Sequence, residues 1–114
     1  MTGILLRKTI AINAKPAIAL NLTRKALSEA VIQVADRVPK QWVITEDTED
    51  KLMAQLTLRG LESKDSLLFL LDASCKLDSG DSQLEILYTS ENSNPEMLRD
   101  VSNKTHTMLV ATLS

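Results

Sequence analysis

The succession of hydrophobic periods along the chain predicts an α+β fold, a ferredoxin-like βαββαβ sandwich with a four-stranded antiparallel sheet, two helices on one face and a further C-terminal helix. Three observations carry that expectation. Residues 4–12 alternate with period two, residues 16–38 carry an apolar stripe of helical period, and the alternation returns twice further on, over 52–58 and 84–88. With 114 residues and 44% apolar side chains, the chain matches one domain, 1–114, with enough apolar material for one core.

The first strand is read from Ile4, Leu6, Ile10 and Ile12, which share one side of Ile4–Ile12. Lys15-Pro16 then suits a helix start, because proline at the first helical position gives up an N–H that has no intrahelical partner. Leu20, Leu27, Val31, Val34 and Val38 follow at spacings of three, four and seven, so the helix is expected to continue to Pro39. Arg24, Lys25, Glu29, Gln33 and Asp36 fall mostly off that stripe and face solvent.

Gln41 to Thr45 is aromatic and β-branched, and Leu52, Ala54, Leu56 and Leu58 alternate with Met53, Gln55, Thr57 and Arg59. These read as two antiparallel strands joined through the polar stretch 46–50, with Gly60 ending the second. Ser63 and Asp65 resemble the N-terminal capping end of a second helix running through Leu67, Leu70 and Leu71 toward Leu77. By periodicity alone, Leu67-Leu68-Phe69-Leu70-Leu71 also fits a buried strand; length and capping residues decide for helix. After a turn at Asp78-Ser79-Gly80-Asp81, Leu84, Ile86 and Tyr88 form the fourth strand. Asn94-Pro95-Glu96 opens the terminal helix, whose stripe is Met97, Leu98, Val101 and Met108.

Composition narrows the chemistry. One His and one Cys cannot supply the three or four nitrogen and sulfur ligands of a zinc site, and the acidic residues Glu46, Asp47, Glu49 and Asp50 lack the spacing and glycine of a calcium loop. No metal is expected. Three unclustered glycines, Gly3, Gly60 and Gly80, make neither a phosphate loop nor a dinucleotide fingerprint, so no cofactor is expected either. Cys75 reads as a small core residue and His106 as a surface residue; nothing pairs them as nucleophile and base, and the expectation is a protein without catalytic activity.

Net charge is −2, but residues 1–40 carry seven Lys or Arg against two acids, and the remainder six against thirteen. The basic first helix, through Arg24, Lys25 and Arg37, is the alternative site and would bind nucleic acid. A pI of about 5.3 and a third strand without aromatics to stack bases weigh against it. No apolar run approaches the ~18 residues of a membrane span, and a single cysteine with no exported leader points to a cytoplasmic protein.

The leading expectation is a small acidic binding module that contacts a protein partner or its own copies, in the manner of an adaptor, chaperone, immunity protein or inhibitor. Its surface would be the sheet face opposite the helices. Leu5, Val43, Met53 and Leu87 fall on the strand phase away from the core set, with Trp42 and Tyr88 at the margin as anchors. The competing expectation is that the terminal helix folds back over that face.

Overall fold

The computed structural model describes residues 4–34, 39–48, 51–59, 66–78, 81–91 and 95–113. Its elements run β1 (Ile4–Ile12), α1 (Pro16–Glu29), β2 (Val43–Asp47), β3 (Lys51–Arg59), β4 (Ser66–Asp78), β5 (Asp81–Ser90) and α2 (Pro95–Leu113). The five strands form one antiparallel sheet in the order β1-β5-β4-β3-β2.

This corrects the ferredoxin-like expectation. The segment read as a second helix is β4, a 13-residue strand paired to β3 on one side and β5 on the other. Leu67, Phe69, Leu71, Ala73 and Cys75 point to the helix side, while Leu68, Leu70, Asp72 and Ser74 are half-buried on the other. A central strand with both faces partly covered needs little polar alternation, so its apolar run hides the period of two. The capping residues that favoured a helix, Ser63 and Asp65, lie outside the described residues, as does Gly60. With β4 a strand, the sheet has five strands among the described residues, and β1 is an edge that pairs there with β5 alone, from Ile4 opposite Ser90 to Ile12 opposite Ser82.

The first helix is shorter than its apolar stripe suggested. Pro16 stands at its start after an extended Lys15, and Ala19, Leu20, Thr23, Ala26 and Leu27 form the buried face. At Ala30 the backbone turns extended, its N–H donating to the Leu27 carbonyl. From there Ala30, Ile32 and Val34 are buried while Val31 and Gln33 are exposed, and Ile32 exchanges hydrogen bonds with Lys40. β-branched Val31, Ile32 and Val34 favour that extended course.

Both helices lie on one face of the sheet. α1 crosses β2 to β5, α2 packs on β1 and β5, and the two touch each other. Between helices and sheet sits one core, in which Leu27, Leu52, Phe69, Leu71, Leu84, Ile86, Tyr88, Leu98 and Leu109 are fully buried. Each such side chain stabilises the fold by roughly 1.5–3 kcal/mol relative to exposure, before the entropy of ordering the chain is counted. The competing expectation for the terminal helix is thereby settled: α2 covers the inner face, not the outer one.

Candidate protein-binding face

The outer face of the sheet is built from strand register. Residues paired across neighbouring strands point to the same side, so the pairings define rows that run across the sheet. One row is Leu5, Thr89, Leu70, Gln55 and Val43. The next is Arg7, Leu87, Asp72, Met53 and Glu46. A third holds Thr9, Glu85, Ser74 and Lys51.

The register therefore brings Leu5, Val43, Met53 and Leu87 onto one face, in two adjacent rows. Leu5 and Val43, at the two edges, are 57% and 58% exposed, and Met53 and Leu87 are half-buried between them. No described helix lies over them. Leu70, which sequence reasoning had placed inside a helix, belongs to the same face at its centre. Trp42 and Tyr88 lie elsewhere: both are buried in the core, their rings 6.3 Å apart and tilted by 52°.

A bulge sets the polar edge of this face. Between Ile44 and Glu46 the β2–β3 register shifts by one residue, so that Glu46 opposes Met53 on the outer side and Asp47 opposes Leu52 on the helix side. Asp47 there meets Arg24 of α1 at 3.0 Å. Without the extra residue the two acids would exchange faces. The outer face also carries two ion pairs, Lys51 with Asp72 at 3.4 Å and Arg7 with Glu85 at 4.0 Å, all partly solvated and individually weak.

The alternative basic site is less open than its sequence suggested. Arg24 is held by Asp47 and donates to Asn21, leaving Lys25 beside the exposed Ile18 and Leu22, while Arg37 lies outside the described residues. Cys75 and His106 stand on different elements. Cys75 is half-buried on β4, where burial pushes its thiol up despite a hydrogen bond with Ser82. His106, read as a surface residue, is half-buried; burial and the neighbouring Lys8 hold its imidazole below the usual value, and its Nδ1 is buried without a hydrogen-bond partner. Among the described residues no group of three His, Cys, Asp or Glu is gathered to hold a metal ion, and no helix is long and apolar enough to cross a membrane.

The architecture, a five-stranded antiparallel sheet with two helices on one face, is shared with solved structures. It is similar to the crystal structure of Ara h 8.0201, with a TM-score of 0.65 at 13% identity, over 96% of this chain and 94% of that one. A putative uncharacterised protein from Rhizobium leguminosarum is also similar, with a TM-score of 0.59 at 9% identity, over 97% and 94%. At those identities the likeness is one of fold alone. No family model matches the sequence, and no curated protein matches it significantly.

Proposed function

We propose that this chain is a non-catalytic binding module of the cytoplasm whose outer sheet face contacts protein, either a partner or another copy of itself. The observation that carries the reading is the pooling of Leu5, Leu70, Val43, Leu87 and Met53 in two adjacent rows of a face that no described helix covers. Apolar side chains grouped among ion pairs are the pattern of an interface with a greasy centre and a polar rim. Nucleic-acid binding through α1 has weaker support, since Arg24 is already neutralised by Asp47.

The test introduces a charge at the centre of the face. Leu87→Asp and Met53→Asp should leave circular dichroism unchanged, because neither side chain enters the core, and should abolish a stoichiometric complex or homodimer that survives high salt. Complexes that persist in both variants would sink the reading. Bound nucleic acid that is lost as salt rises and on Lys25→Glu would move the assignment to α1.

A further inference from the structure

Resting on that reading, we infer that the occupant of the outer face is a second copy of this chain, packed sheet to sheet about a two-fold axis that runs along β4. Such an axis reverses the strand order across the contact and keeps each row opposite its own copy. Leu5 then meets Val43 of the second copy, Thr89 meets Gln55, and Leu70 meets Leu70 on the axis. In the next row Arg7 meets Glu46, and Leu87 meets Met53. In the third, Glu85 meets Lys51. Apolar residues fall on apolar residues and opposite charges on each other, and every pair off the axis occurs twice by symmetry.

The other way of stacking two such faces places the axis across the strands. Each strand then lies over its own copy, and with the axis between the first two rows Leu5 opposes Arg7, Leu70 opposes Asp72 and Val43 opposes Glu46. That arrangement buries charge against hydrocarbon; moved onto the second row the axis sets Arg7 on Arg7 and Glu46 on Glu46, and moved onto the first it sets Asp72 on Leu68, so the pattern favours the axis along β4. Five strands at ~4.8 Å spacing and eight residues at ~3.4 Å give at most about 650 Å² on each copy, the low end of a stable interface. Packed sheets cross at about 30°, which displaces the edge pairs by a few Å, within reach of the long side chains of Arg7 and Glu46. One like-charge approach remains, Asp72 against Asp72 on the axis, each carboxylate already held by its own Lys51.

The experiment is sedimentation equilibrium of the full chain at low salt with charge-swapped variants. Arg7 and Glu46 are exposed in the single chain, so their replacement leaves the fold intact. The wild type should dimerise, Arg7→Glu and Glu46→Arg should each weaken association by at least about tenfold, and the double variant should recover most of it. Asp72→Asn should tighten it. A wild type that stays monomeric at all concentrations, or a double variant at least as weak as the worse single one, would overturn the inference. A monomer whose complex with another protein is still lost on Leu87→Asp overturns self-pairing and leaves the binding face standing; a monomer with no such loss overturns both.

Discussion

Trp42 Nε1 donates a 3.0 Å hydrogen bond to Thr105 Oγ1 inside the core, tying the residue before β2 to the middle of α2 across 63 positions of sequence. Both partners are buried, Trp42 to 3% and Thr105 to 0% exposure. The bond adds to the burial of Leu98, Val101 and Leu109 in holding α2 over the inner face.

Thr105→Val keeps the shape of that side chain and removes the acceptor. The buried indole N–H is then unsatisfied, at a cost of about 1–3 kcal/mol. Urea unfolding at dilute protein should show that loss as a lower midpoint with an unchanged slope.

Tyr88 presents the opposite case. Its hydroxyl is buried without a hydrogen-bond partner, and burial alone drives its pKa strongly upward. Tyr88→Phe deletes an unsatisfied polar atom and keeps the ring against Trp42, so it should be neutral or stabilising by up to about 1–2 kcal/mol. A lower melting temperature in Tyr88→Phe would contradict this.

His106 gives the fold a pH dependence. Its folded pKa lies below 6.5, first through burial and then through Lys8, so below pH 6.5 the unfolded chain binds more protons than the folded one. The stability His106 protects is full above pH 6.5 and declines as pH falls from there to the folded pKa. His106→Gln should flatten that part of the melting-temperature profile, while an identical decline in the variant would assign it to other groups.

The strand assignment of β4 is tested by neighbouring truncations. Phe69→Ala opens the core and should cost about 3–5 kcal/mol, whereas Leu70→Ala, on the half-buried outer face, should cost under about 1–2 kcal/mol in the monomer. Equal losses would argue against period two in this segment.

These contrasts also explain what could be read from the sequence. β1, β3 and β5 each have one buried face, so their alternation is plain, and α2 announces itself with Asn94-Pro95-Glu96. β4 hid because its neighbours on both sides supply cover, and an unbroken leucine run carries no period. Leu5, Val43, Met53 and Leu87 were legible as a set because strand phase fixes the face. Trp42 and Tyr88 were not: an aromatic beside an exposed residue reads as a rim anchor until the fold puts a helix over it. The self-complementary rows were illegible too, since they depend on strand order and on the bulge that turns Glu46 outward, which no local pattern records.

The pairing of Ile4 with Ser90 also constrains how the molecule is made. During synthesis β1 emerges first, yet its partner strand is not available until about 80 further residues have been added, several seconds at ~5–20 residues per second. For that interval an isoleucine-rich strand has no native neighbour and is exposed to wrong partners. Arg7 and Lys8, adjacent charges in its middle, are the kind of gatekeepers that keep such a segment soluble while it waits. Their exchange for apolar residues should therefore be felt in the yield of soluble protein from the ribosome before it is felt in the stability of the finished fold.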